Sequence, residues 1–348
     1  MPNAPPRFSE VFRDPTGQVA LLQAEDRYLA RLAARFGGRF LDYRRRWAEA
    51  SARGDPGEFP LSLDLAVNSG CQLSCLMCPL PGRPGGRRVR LMDSALYESL
   101  MLQAEEHALP ALTLGLGSEP LLHPEAPRLV ARAARAGVMD IRLGTNGLAL
   151  SAEAARALVD SGLTRLEISV DAARPETYRQ VRGGSLGELE RAIETFLDQR
   201  RRAASETPLL RLSFLRLDEN RAEEAEFLER FGPLADMLAL QDPLWFPGTR
   251  LPPPGPGRRL IAENCAQPWQ RLGLDQDGRP WPCCAWPDAA FPPLDAASDL
   301  ARVWRSPEMA AWRHGLAGPP AGWPAPCRFC WGLRPQTPQP AGGEAALG

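Results

Sequence analysis

A chain of 348 residues, 44% hydrophobic and 24% charged, is long enough for one large α/β domain and a smaller appendage, each with a real core. A formal net charge of −1 marks no surface for nucleic acid or anionic lipid. No apolar run of about 18 residues predicts a membrane span, and Met1 to Arg13 lacks the apolar stretch of a signal peptide, so a cytoplasmic location is expected.

In chain order, residues 19–50 read as one or two Arg-rich amphipathic helices, within an N-terminal helical segment spanning 1–60. Six short apolar strands follow, at 61–67, 111–116, 141–145, 166–170, 209–217 and 237–240. Between them, apolar residues recur every three or four positions at 94–106, 125–136, 152–161, 186–202 and 221–231, as amphipathic helices require. Gly137 and Gly162 stand where C-caps are expected. Six strand–helix units imply a parallel sheet with right-handed crossovers, an α/β fold of partial (β/α)6 TIM-like barrel type. This barrel is expected over 61–246, with its chemistry at the C-terminal ends of the strands. Residues 247–259 (PGTRLPPPGPGRR) read as a stiff linker, 260–332 as a small cysteine-rich α+β extension, and 333–348 as a disordered tail.

The eight cysteines point to metal or redox chemistry, because disulfides are rare in a reducing compartment. Three of them, Cys71, Cys75 and Cys78, form CxxxCxxC just past the first barrel strand. Three thiolates can hold three irons of a cubane 4Fe–4S cluster and leave the fourth open to a chelating ligand. Zinc usually takes four ligands and paired CxxC units, and no nearby histidine completes such a set.

Here the sequence resembles the radical SAM superfamily, over roughly 61–331, whose members bind S-adenosylmethionine (SAM) on the open iron. The resemblance implies that Met77, preceding the third cysteine, packs against adenine. Gly117, Ser118, Glu119 and Pro120 are similar to the family's GGEP segment, with Ser118 replacing a glycine. Gly117, Ser118 and Glu119 are then expected around the SAM amino group. Thr145-Asn146-Gly147 and Ser169-Val170-Asp171 look like the TNG and SVD segments, which implies that Asn146 and Ser169 line the ribose and methionine parts. Arg182 is a candidate partner for the SAM carboxylate, since a guanidinium fork matches that geometry; a plain surface arginine is the alternative. Asp171 could equally be a helix N-cap, and His123 reads as a turn residue.

In the second group, Asp277-Gly278 predicts a hairpin turn that brings Cys283 back towards Cys265. Residues 298–316 are the helical segment leading to Cys327 and Cys330. This arrangement resembles a shortened SPASM domain, implying a second 4Fe–4S cluster on Cys265, Cys283, Cys327 and Cys330; a zinc ribbon is the competing reading. Cys284 is left over, either packed in the hairpin or acting as a hydrogen-atom donor in catalysis.

The reaction implied by the resemblance is reductive cleavage of SAM to a 5′-deoxyadenosyl radical, which removes a hydrogen atom from a substrate carbon. The expected outcome is epimerisation or dehydrogenation of a small metabolite such as an aminosugar. Maturation of a ribosomally made peptide is the alternative, and a non-catalytic metal-binding scaffold the alternative of another class. An electron donor such as flavodoxin or ferredoxin is the expected protein partner.

Overall fold

In the computed structural model, residues 11–13, 19–22, 25–78, 89–243, 249–252, 265–283, 291–319, 322–324 and 327 are described. Two short strands come first, β1 (Val11–Arg13) and β2 (Val19–Leu22), then helices α1 (Glu25–Phe36) and α2 (Gly38–Arg53). Alternation follows through β3 (Ser62–Leu65), α3 (Ser94–Glu106), β4 (Ala111–Leu114), α4 (Ala126–Arg135), β5 (Asp140–Thr145) and α5 (Ala152–Asp160). It continues with β6 (Arg165–Ser169), α6 (Pro175–Arg182), α7 (Leu186–Arg202), β7 (Leu209–Leu215), α8 (Glu224–Phe231) and β8 (Met237–Gln241). The cysteine-rich end contributes α9 (Gln267–Gln270), β9 (Arg271–Leu274), β10 (Pro280–Trp281), α10 (Leu300–Trp304) and α11 (Pro307–Ala317).

All strands join one sheet in the order β1-β2-β8-β7-β6-β5-β4-β3-β9-β10. From β3 to β8 neighbours are parallel and in sequence order, which gives the expected partial (β/α)6 barrel. β9 adds in parallel to β3, so the cysteine-rich end shares the barrel's sheet. Its partner β10 turns back antiparallel across the tight turn at Gly278, the hairpin expected from Asp277-Gly278.

Local sequence explains most of these boundaries. Asp93, Ser151 and Ser185 accept hydrogen bonds from the first-turn N–H groups of α3, α5 and α7, each worth about 1 kcal/mol. On β5 and β6, Ile141, Leu143, Leu166 and Ile168 are wholly buried in the apolar core, each contributing about 1.5–3 kcal/mol. The alternating Arg142, Gly144, Arg165 and Glu167 belong to the other, inner face of the barrel.

Two features differ from the sequence reading. Within the expected N-terminal helical segment, residues 11–13 and 19–22 instead form strands β1 and β2, antiparallel to each other, and β2 is antiparallel to β8. A four-residue VALL run carries no period of its own, and the open backbone edge of β8 supplies its hydrogen bonds. The second is α6, which the sequence reading left unassigned. Its start is capped from a distance by Glu223, whose Oε2 accepts from the Ala173 and Arg174 amides at 2.8 and 3.1 Å. Asp171 is therefore not its N-cap; it sits three residues before the Arg174 cap position, with φ of 61°.

Candidate metal centre and cofactor site

The loop leaving β3 carries the first three cysteines, and hydrogen bonds from three neighbouring segments shape it. Asn68 Oδ1 accepts from Gly70 N at 2.8 Å and its Nδ2 donates to Glu119 O at 2.8 Å, while Glu119 N donates to Gly70 O at 2.8 Å. From the end of α6, Val181 O accepts from Leu76 N at 2.9 Å and Arg182 O from the Cys75 thiol at 3.7 Å. Arg250 N donates to Leu76 O at 3.0 Å and its guanidinium to Ser74 O. Part of the expected linker, Thr249 to Pro252, is thus placed against the cysteine loop; the rest of 247–259 lies outside the described residues.

Cys75 is buried and Cys71 and Cys78 are half-buried. Burial pushes the Cys75 thiol up to about 11, with Arg182 pulling the other way, and burial also raises Cys71. The three sulfurs lie close enough that ionising one disfavours ionising the next. They do not converge on a single ion, and no three His, Cys, Asp or Glu side chains do so among the described residues. That donor set fits a cubane, which takes one thiolate per iron, and binding would release the protons that burial holds on the thiols.

Behind the cysteines, Glu119 joins two strand ends. Its Oε1 accepts from Leu121 N at 3.1 Å and Thr145 Oγ1 at 2.6 Å, and its Oε2 from Asn146 N at 2.7 Å. The carboxylate is 2% exposed, and burial raises its pKa against the pull of those donors and of Arg182. Gly115 permits this closeness: at φ of 122°, a Cβ there would fall 2.5 Å from Gly144 O. Asn146 exchanges hydrogen bonds with Gln72 at 3.2 Å and points Nδ2 at Cys71 Sγ, 3.7 Å away. Gly117 takes φ of 60°, and the Ser118 hydroxyl is buried with no partner among the described residues.

Arg182 is buried rather than a surface arginine. Its Nη1 donates to Asp171 Oδ2 at 3.0 Å, and its Nε has no partner among the described residues. Asp171 Oδ1 accepts from Leu215 N at 2.7 Å, and Asn220 Nδ2 donates to Asp171 O at 2.7 Å. Ser169 ends β6 opposite Ser213, and Met77 is half-buried in the cysteine loop. His123 is a turn residue, its Nδ1 accepting from Glu125 N at 3.1 Å.

Gln72, Asn68 and Asn220 were missed in the sequence reading. Asn68, two residues before Gly70, carried a local turn signal, whereas Gln72 and Asn220 carried none. In the second group, Cys265 precedes α9, Cys283 follows β10 and Cys327 is buried beyond α11. Cys284, read either as packed in the hairpin or as a hydrogen-atom donor, and Cys330 lie outside the described residues.

Residues 65–213, from the end of β3 into β7, match the family model described as the radical SAM superfamily. Those residues form a radical SAM domain. Such a domain implies an enzyme that uses a 4Fe–4S cluster and SAM. A probable GTP 3′,8-cyclase of Methanococcus maripaludis is 29% identical over 158 residues, 45% of this chain and 50% of that one. The GTP 3′,8-cyclase of Limosilactobacillus fermentum is 31% identical over 134 residues, covering 38% and 40%. The chain spans about half the length of such curated relatives. Among solved structures, Streptococcus suis SuiB bound to SAM superposes with a TM-score of 0.53 at 14% identity, covering 83% of this radical SAM chain and 73% of SuiB. That likeness is one of fold. No helix among the described residues is long and apolar enough to cross a membrane.

Proposed function

We propose that this radical SAM enzyme holds its catalytic cluster on Cys71, Cys75 and Cys78 and acts on a small metabolite by epimerisation or dehydrogenation. The observation that carries the reading is the bracketing of one cysteine loop by Asn146 on one side and the buried Arg182–Asp171 pair on the other. When bound, the cluster and SAM supply a 5′-deoxyadenosyl radical that takes a hydrogen atom from the substrate. The chain's own residues bind and orient. Arg182, whose Nε has no hydrogen-bond partner among the described residues, would pair with the SAM carboxylate, and the Ser118 hydroxyl, likewise without a partner there, would offer a further polar contact. Glu119, already accepting three hydrogen bonds, holds the Gly117 and Asn146 segments in place and has one lone pair to spare for the SAM ammonium.

The described part of residues 1–60 supports a small substrate, since α1 and α2 pack into the barrel core rather than forming a separate binding unit. SuiB, whose structure with its precursor peptide SuiA superposes with a TM-score of 0.52, is the observation behind the second reading, peptide maturation. Cys265, Cys283, Cys327 and Cys330 are proposed to hold an auxiliary cluster.

The test is anaerobic reconstitution. Wild type should bind about eight irons and release 5′-deoxyadenosine from SAM under reduction. Replacing Cys71, Cys75 and Cys78 with Ala should remove about half the iron and all SAM cleavage. Continued 5′-deoxyadenosine formation by that variant would overturn the assignment.

A further inference from the structure

The turn after β5 aims one side-chain amide at the first cysteine. Its backbone is held at two points: Asn146 N donates to Glu119 Oε2 at 2.7 Å, and Gly147 N donates to Thr145 Oγ1 at 3.0 Å. Gly147 takes φ of 82°, and a Cβ there would fall 2.5 Å from Leu189 Cδ1, so the chain turns where a side chain has no room. The buried Asn146 side chain then closes the turn itself, with Oδ1 accepting from Leu148 N at 3.0 Å.

That last bond decides which way round the amide stands. An asparagine side chain offers two lone pairs on its oxygen and two N–H donors on its nitrogen, and only its partners tell the two ends apart. Leu148 N–H is a donor, so the end facing it is oxygen and the end facing the cysteine loop is nitrogen. Gln72 matches the same polarity: its Nε2 donates to Asn146 Oδ1 and its Oε1 accepts from Asn146 Nδ2, both at 3.2 Å. With Cys71 Sγ 3.7 Å from Nδ2, all four hydrogen-bonding positions of the amide are engaged. Reversing it would set Nδ2 against the Leu148 N–H and Oδ1 against the sulfur. The backbone N–H of Leu73 also donates to Cys71. Cys75 differs, since its sulfur faces the Arg182 carbonyl, which can only accept.

We propose that Asn146 donates a hydrogen bond from Nδ2 to the Cys71 thiolate when that sulfur ligates the catalytic cluster, and that this bond raises the cluster's reduction potential. Reduction adds an electron whose charge is shared with the ligand sulfurs, so a donor there stabilises the reduced form more than the oxidised one. The bond thereby eases the electron uptake on which SAM cleavage depends. The Leu148 amide and Gln72 keep the donor end towards the sulfur. This inference rests on the proposed assignment of the cluster to Cys71, Cys75 and Cys78, and it is separate from any contact that Asn146 makes with SAM.

The experiment is a potentiometric titration of the full-length reconstituted protein without SAM. It follows the electron paramagnetic resonance signal of the reduced first cluster, the signal that should vanish when Cys71, Cys75 and Cys78 are all replaced by Ala. Asn146→Asp keeps the oxygen that Leu148 N needs and puts a carboxylate oxygen in place of the donor. The equilibrium should move against the reduced form by at least about tenfold, which is about 59 mV for a one-electron couple. Asn146→Ser also keeps an acceptor for the turn but is too short to reach Cys71. It should move the equilibrium the same way by about three- to tenfold, or about 28–59 mV, and gives the answer where the aspartate hinders cluster assembly. Potentials in both variants within about twofold of wild type, about 18 mV, overturn the inference alone, and so does a rise in either. Weakened SAM binding with the SAM-free potential unchanged overturns it as well, because Asn146 would then act on SAM only. A signal that survives in full in the triple cysteine variant overturns the proposed function first, and this inference with it.

Discussion

Replacing Glu119 tests whether its carboxylate is chiefly a brace between strand ends. In Glu119→Ala, Leu121 N–H, Thr145 O–H and Asn146 N–H all lose their acceptor in a nearly dry setting. A buried unsatisfied donor costs about 1–3 kcal/mol, and the Thr145 hydroxyl can rotate to another acceptor, so the two amides left should cost about 2–6 kcal/mol of stability. Glu119→Gln is milder. Its amide oxygen still accepts from Asn146 N, its NH2 donates to Thr145 Oγ1, and only Leu121 N is opposed, which predicts a loss of about 1–3 kcal/mol. The assay is urea unfolding of the reconstituted full-length protein, followed by SAM titration. Both variants should lose SAM affinity in step with stability, because the brace positions Asn146 beside Cys71. Glu119→Ala with wild-type stability, or Glu119→Gln that loses SAM binding with stability unchanged, would refute the brace and make the carboxylate a direct ligand alone.

Asp171→Ala should cost about 3–5 kcal/mol, because it strands the buried Arg182 and the Leu215 amide; Asp171→Asn tolerates φ of 61° and keeps the amide's acceptor, so denaturant unfolding should show a smaller loss. Glu167 gives a pH signature. Burial opposes its ionisation, yet Arg211, Arg165 and Arg142 pull its carboxyl from the usual 4.5 to about 2. A depressed carboxyl stabilises the fold above its unfolded value and loses that contribution as pH falls, here between about 4.5 and 2, for about 3 kcal/mol in all. Unfolding free energies across that window should flatten in Glu167→Gln, and an unchanged slope would show that the arginines do not hold the charge.

The barrel was legible because its signals are local. Each strand is a short apolar run and each helix a three- or four-residue period, so the six parallel strands lie within a few residues of their expected positions. The cysteine loop was legible for the same reason, as three ligands within eight residues carry their spacing in the sequence itself. Contacts between distant residues were a different matter. The period of 19–22 could not show that β8 offers an open edge, and nothing near α6 announced that Glu223, some fifty residues on, would cap it. Asp171 read as a cap from its neighbours; only the close approach of α6 and β7 made it the partner of Arg182 and of the Leu215 amide. The charged residues of the inner face are the clearest case. Alternation along a strand says that Arg142, Glu167 and Arg211 point away from the apolar core, which in sequence reads as pointing to water. Closing parallel strands around a lumen turns that same face inward, and there the charges must find partners or a ligand because water no longer screens them.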